Sequence, residues 1–322
     1  MLNELIACFT RARILVVGDV MLDEYVFGTV SRISPEAPVP IVEADLERHE
    51  HVLGGAANVA CNVRALGGAV TLIGVVGDDA AGKAVRNLAA QSGVNPAGLV
   101  TDPSRPTTLK TRIIAHAQQV VRVDREAKAP LSREVADRLL ARITGSVSEG
   151  VDAIALSDYD KGVFLGNLPE AIVKRCRAQG IPCLCNAKPP NLPRFTGATV
   201  VSMNLREAEV VAGHGLPSDE AVIQTAVQLC GQYEFGAVVI TRGGQGLVVA
   251  DRTGQVRCVP AKAVQVYDVV GAGDTVLSAL TLTVAAGGDC FSAAEIANAA
   301  GGAVVRKRGT ATVTPEELRS LL

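Results

Sequence analysis

The 322-residue chain has no tryptophan, six phenylalanines and four tyrosines. So few aromatic faces argue against a platform on which bases stack. Positive charge is not in excess either: 31 Lys and Arg stand against 33 Asp and Glu, a formal charge of −2. A nucleic-acid footprint would need a basic face. No apolar run reaches the ~20 residues of a membrane span, and the start, with Glu4, Arg11 and Arg13, does not read as a signal peptide. These absences predict a soluble, cytoplasmic protein with neither nucleic acid nor membrane as partner. The eight cysteines are scattered, and the one tight pair, Cys183 and Cys185, has no second pair at zinc-ligand spacing. Reduced, mostly buried thiols are expected. His49 and His51 flank Glu50 in an alternating segment and read as a strand face rather than a ligand set.

Hydrophobic residues make up 48% of the chain, enough for a sizeable core. Ile14–Asp19 reads as a buried strand. Further strands are expected at Val70–Val76, Ala153–Leu156, Pro182–Cys185, Thr199–Ser202, Ala237–Thr241 and Gly246–Ala250, with helices between them at Ala80–Ser92, Ser132–Gly145, Pro169–Gly180, Leu205–Gly213 and Ser218–Tyr233. Strands alternating with helices predict an α/β fold whose mainly parallel sheet is covered on both faces. Pro38–Glu47 and Leu109–Asp124 instead alternate apolar and polar residues, the mark of a half-exposed sheet. No linker separates domains. One domain over residues 1–322 is expected, with β insertions at about 20–50 and 107–124 acting as a lid.

The sharpest motif is Val269-Val270-Gly271-Ala272-Gly273-Asp274-Thr275, expected to follow a strand-like stretch and to open a helix over Val276–Ala286. Glycines at a helix start let backbone amides approach an anion, which the helix dipole also favours. An aspartate there repels a phosphate, yet it makes sense as a base beside one being transferred. The plainer reading is a helix-capping Asp. Thr241-Arg242-Gly243-Gly244-Gln245-Gly246 is a second Gly-rich turn, or simply a hairpin connection. Asn204 and Glu207 form a capping box or, as oxygen donors, stand near a hard cation. Gly54-Gly55-Ala56-Ala57-Asn58 reads as a Gly-rich helix start where a ligand could approach the backbone, or as tight packing. The chain holds no G-x-x-x-x-G-K-[ST], and Ile14–Asp19 is not followed by G-x-G-x-x-G. This counts against P-loop kinases and Rossmann dehydrogenases.

In this order the elements resemble the PfkB (ribokinase-like) family of carbohydrate kinases over nearly the whole chain. The Gly54–Gly67 stretch is similar to the family's N-terminal signature, and Asp268–Leu280 to its C-terminal one. The resemblance implies a three-layer ribokinase-like sandwich with a small β lid, and ATP and Mg²⁺ as cofactors, with K⁺ required in some relatives. It implies that Asp274 is the catalytic base and that the Gly271–Asp274 turn, through the amides of Ala272, Gly273 and Asp274, holds the γ-phosphate. Asn204 and Glu207 would organise Mg²⁺ through water. Thr241, Gly243 and Gly246 would contact the nucleotide, with Asn298, Gly301 and Gly302 beside the adenine.

Within the family, several segments resemble the kinases that convert D-glycero-D-manno-heptose 7-phosphate to its 1,7-bisphosphate, for ADP-heptose and the inner core of lipopolysaccharide. These are Gly18–Asp23, Arg32–Pro40, Thr107–Arg112, Gln118-Gln119 with Arg122–Asp124, and Ser157–Gly162. A phosphorylated substrate needs cations, and Lys110, Arg112, Arg122, Lys161 and Lys188 are available. Solvent exposure is their plainer fate. Asp19, Asp23, Gly54, Gly55, Asn58 and Asp158 complete the expected sugar site. Where that subfamily has Asp-Pro-Lys-Gly, this chain has Asn186-Ala187-Lys188-Pro189, which keeps a hydrogen-bonding group but loses a charge. The bifunctional members continue into a nucleotidyltransferase domain with an H-x-G-H motif; the chain ends at Leu322 without one and resembles the stand-alone kinase. The resemblance also implies a homodimer clasped through the lid. A kinase of a pentose, hexose or nucleoside is the nearest alternative, and a non-catalytic sugar or nucleotide sensor the alternative from another class.

Overall fold

The computed structural model describes every residue except Ala117 and, within β3, the side chain of Leu46. Apolar runs form a nine-stranded sheet. In chain order its strands are β1 (Arg13–Gly18), β4 (Ala69–Val76), β5 (Asn95–Thr101), β8 (Ala153–Ser157), β9 (Cys183–Asn186), β10 (Val200–Asn204), β11 (Ala237–Thr241), β12 (Leu247–Asp251) and β13 (Val256–Val259). Their order in space is β13-β12-β11-β10-β9-β8-β1-β4-β5. All pair in parallel except β12 and β13, which extend the sheet antiparallel. Helices cover both faces, as the near-continuous apolar strands require. On one side lie α2 (Ala56–Ala65), α3 (Ala80–Gln91), α8 (Ala272–Ala285) and α9 (Cys290–Val304), around a core that includes Val16, Leu72, Leu280 and Ile296. On the other lie α4 (Arg133–Glu149), α5 (Leu168–Gln179) and α7 (Asp219–Gln232), around Val17, Leu139, Ile172 and Leu229. The short α1 (Leu2–Cys8), α6 (Leu205–Ala212) and α10 (Pro315–Arg319) complete the helices.

The alternating segments form a separate four-stranded sheet in the order β3-β2-β6-β7. Its strands are β2 (Val20–Ile33), β3 (Pro40–Gly55), β6 (Thr108–Ala115) and β7 (Gln118–Arg125). β3 runs further than its alternation suggests: Gly54 and Gly55 end the strand, and α2 begins only at Ala56. The strand expected before the Gly271 turn is missing; residues 260–269 have no regular structure. All eight cysteines are free, and Cys258 alone among them is exposed.

Asp19 stands where the chain leaves the large sheet for the small one. Its carboxylate is 2% exposed. It accepts three backbone N–H groups of the loop after β8: Tyr159 at 2.8 Å, Lys161 at 3.1 Å and Val163 at 3.2 Å. Its own amide donates to the Ser157 carbonyl at 3.1 Å, and its carbonyl accepts from Ala56 at 2.9 Å, at the start of α2. Gly55 has φ +58°, and a Cβ there would sit 2.3 Å from that carbonyl, so only glycine lets the two chains meet. Burial pushes Asp19 up to about 6, against the pull of the three amides. These bonds engage both carboxylate oxygens, so Asp19 ties the loop after β8 to the end of β1.

Replacing Asp19 by Ala leaves three amides without an acceptor. The expected cost is on the order of 3 kcal/mol, read as a lowered urea midpoint. An unchanged midpoint would contradict this role.

Candidate active site

Several of the sequence-predicted residues gather at the C-terminal ends of the parallel strands, where open α/β sheets bind ligands. Asp158 follows β8, Asn186 ends β9, Asn204 ends β10 and Thr241 ends β11. The N-terminus of α8 completes the group. Gly271 opens that helix at φ +77°, and a Cβ there would lie 2.8 Å from Asn58 Nδ2. The amide of Ala272 donates to the Val269 carbonyl at 3.3 Å. This leaves the first-turn amides of Gly273 and Asp274, two rather than three, for an anion. The space beside Gly273 is open, with Asn186 Nδ2 the nearest atom to a Cβ built there, at 3.9 Å. Asp268 braces the approach by accepting from Val270 N–H at 3.0 Å and Gly309 N–H at 2.9 Å.

Asp274 is the chemical centre. It sits in the first turn of α8 and is 5% exposed. Asn58 Nδ2 donates to Oδ2 at 2.7 Å, and the Tyr159 hydroxyl donates to Oδ1 at 2.7 Å. Asn62, one turn further along α2, donates to Asn58 Oδ1 at 3.2 Å and so orients that amide. Burial raises Asp274 to about 6, opposed by the Asn58 and Tyr159 bonds, with Asp23 adding to the rise and Lys188 reducing it. A carboxylate so tuned is ionised at neutral pH and basic enough to take a proton. Tyr159 is half-buried, and loss of solvent around its phenol together with Asp274 holds it well above the ordinary value, so it remains a donor. Sequence reading missed Tyr159 as a partner of Asp274, since 115 residues separate them.

The predicted cations are all present, each facing a carboxylate. Arg112 bonds Asp23 at 2.6 Å, and Lys188 bonds Glu207 at 2.5 Å while lying over the Tyr159 ring. Lys110 reaches Asp124 at 2.9 Å and Glu126 at 3.4 Å, and Lys161 reaches Glu126 at 2.8 Å. Arg122, half-exposed, bonds Asp124 at 2.8 Å. Cross-strand register places Asp23, Lys110 and Asp124 in one row, and Tyr25, Arg112 and Arg122 in the next. One face of the small sheet therefore carries three of the five cations.

Most of the other predicted residues have partners within the chain. Asp158 accepts from Asp160 N–H at 2.8 Å, Lys188 N–H at 3.0 Å and Asn191 Nδ2 at 3.0 Å. Both its oxygens thus hold the loop that follows β9. Gly54 makes room for Asp23, whose Oδ2 would lie 2.5 Å from a Cβ there, so the close approach is protein packing. Asn204 and Glu207 close a full capping box on α6. Gly246 packs against the Val259 carbonyl, whereas Gly243 faces open space. Asn298 donates to the Pro260 carbonyl at 2.9 Å and lines a cavity of about 250 Å³ with Val259 and Lys262. Gly301 packs against Val276, and Gly302 lies near Leu321.

Because the Tyr159 bond lowers the affinity of Asp274 for its proton, Tyr159→Phe should raise the Asp274 pKa above about 6. Carboxyl ¹³C titration measures this. A downward shift would contradict the assigned geometry.

The pfkB family carbohydrate kinase model matches residues 11–317. The bifunctional protein HldE of Coxiella burnetii (strain Dugway 5J108-111) is 43% identical over 317 residues, which is 98% of this chain and 65% of that protein. The chain thus spans just under two thirds of this relative's length. Escherichia coli phosphofructokinase-2 in complex with potassium superposes with a TM-score of 0.77 at 20% identity, covering 96% of this chain and 97% of that one. Arabidopsis thaliana ribokinase complexed with ribose and ATP gives 0.74 at 18% identity, covering 96% and 98%. Both solved structures share the fold, a large mainly parallel sheet beside a smaller one. With the family model spanning nearly its whole length, the chain belongs to the pfkB family of carbohydrate kinases.

Proposed function

We propose that the chain transfers the γ-phosphate of ATP to the C1 hydroxyl of a D-glycero-D-manno-heptose 7-phosphate, with Asp274 as the base. The observation that carries this reading is the Asp274 carboxylate itself: buried, raised to about 6, and beside the unpartnered amides of a helix start. Asp274 takes the hydroxyl proton on Oδ1, the oxygen that Tyr159 now occupies, while Asn58 holds Oδ2 in place. The amides of Gly273 and Asp274 hold the transferred phosphate, so positioning and charge stabilisation supply most of the rate. ATP lies along the ends of β10 and β11, near Asn204, Thr241 and Gly243.

Mg²⁺ supplies charge neutralisation on the phosphates. The donors present suit an ion held through its waters. Asn204 Oδ1 and Glu207 Oε2 are engaged in the α6 cap, at 2.9 Å each, and Lys188 faces Glu207 Oε1. A K⁺ requirement has support only from the potassium complex of a relative.

The sugar choice rests on the heptose-kinase-like segments and on the cations they carry. Lys110, Lys161 and Arg122 bring three positive charges against two on Asp124 and Glu126, so the cluster has a net charge to offer a phosphate. Asp23, with Oδ2 free of the Arg112 bond, is left as the acceptor of sugar hydroxyls. The relative is named bifunctional, and the proposal is confined to phosphoryl transfer. Val121 and Val123 are exposed on the opposite face of the small sheet and suit contact with a second copy.

Lys161→Ala should raise KM for the heptose 7-phosphate about tenfold or more, the loss of one charge-assisted bond, with little change for ATP. Equal effects on both substrates in steady-state assays would contradict the sugar-phosphate role.

A further inference from the structure

His49 and His51 lie two apart on β3, so both imidazoles stand on one face of the small sheet. The antiparallel register puts Glu24 of β2 directly opposite His51, and His49 opposite Val26 one pair along. Both rings turn toward a single oxygen: Nε2 of His49 is 2.8 Å and Nε2 of His51 is 3.2 Å from Glu24 Oε1. The ring centroids are 4.7 Å apart, edge to face. All three potential ligand atoms lie within 4.8 Å of one another. Among the described residues this is the one group of three such side chains that converges in this way.

The geometry points to a binding site for a divalent transition-metal ion, Zn²⁺ foremost, held by Glu24, His49 and His51 on the outer face of the small sheet. Two imidazole nitrogens and one carboxylate oxygen are a zinc-type donor set, with ligand bonds of about 2.0–2.2 Å. Hard cations such as Mg²⁺ prefer oxygen donors alone. Bringing the three atoms onto a common centre takes only small side-chain rotations from contacts of 2.8 and 3.2 Å. The carboxylate is already oriented: Thr111, opposite Glu24 on β6, donates its hydroxyl to Oε2 and leaves Oε1 for the shared position. Such a hydrogen bond behind a ligand is the usual companion of a metal site. The histidine side chains are 43% and 36% exposed, so an ion can enter and water can fill the remaining position.

This site is separate from the catalytic one. Asp23 and Arg112 face the other side of the sheet, one residue away from Glu24 and Thr111 in sequence. An ion here cross-links β2 to β3 and stiffens the sheet that carries Asp23, Lys110 and Arg112. Val123, opposite Thr111, shares the metal face, so the oligomeric state is measured alongside the metal.

The test is calorimetric titration of Zn²⁺ into the untagged, chelator-treated chain, with light scattering on the same samples and Co²⁺ as a spectroscopic probe. One ion per chain is expected, with visible Co²⁺ bands. The double variant His49→Gln with His51→Gln should lose both while keeping its circular dichroism. Thr111→Val, which keeps all three ligands, should weaken binding by about tenfold. Absence of binding in the unaltered chain would overturn the proposal. So would equal affinity in the double variant, which would place the ion elsewhere, for instance at the exposed Cys258.

Discussion

The buried carboxylate of Asp19 is the constraint on which the rest of the site depends. Its side chain gathers the amides of Tyr159, Lys161 and Val163, and its backbone carbonyl receives the first amide of α2. Those two segments carry Tyr159 and Asn58, the two donors that grip Asp274. One residue at the junction of two sheets therefore sets the positions of both partners of a carboxylate 255 positions later in the chain. Burying Asp19 is unfavourable in itself, and three amide bonds offset that cost. Gly55 is fixed by the same junction, since any side chain there would strike the Asp19 carbonyl.

Around this frame the charges are arranged in opposed pairs. Arg112 faces Asp23, Lys188 faces Glu207, and Lys110 and Lys161 share Glu126. Most of these side chains are largely buried, so an unpaired charge would be costly. The pairing keeps cations in place without a ligand, and a phosphate would then compete with carboxylates rather than enter an empty positive pocket. Asp274 differs from the acids in these pairs. Its partners are neutral donors, and burial outweighs them, so its affinity for a proton stays high.

Much of the fold was legible in the chain. Apolar runs such as Leu15–Val17 and Val238–Ile240 announced a doubly covered sheet, and the alternation in Leu109–Asp124 announced a separate half-exposed one. The capping box at Asn204 and Glu207 was readable from spacing alone, because its bonds are local. What was not legible depends on distant pairing. The structural role of Asp19 is hidden until the loop after β8 folds onto it. Gly54 and Gly55 read as a helix start because their strand neighbours, Met21 and Val20, lie more than thirty residues away. Tyr159 and the Glu24 partner of His49 and His51 were hidden for the same reason. The stretch before Gly271 carries β-prone residues such as Val264, Val266 and Tyr267 but finds no strand to pair with.

The central claim is that Asp274 removes a proton during phosphoryl transfer rather than merely capping α8. Asp274→Asn tests it most directly, with turnover and ATP binding measured on the same protein. The account predicts a fall in kcat of about 10²–10⁴-fold, with ATP affinity nearly unchanged. A variant that turns over at close to the original rate, with its fold intact, would contradict it.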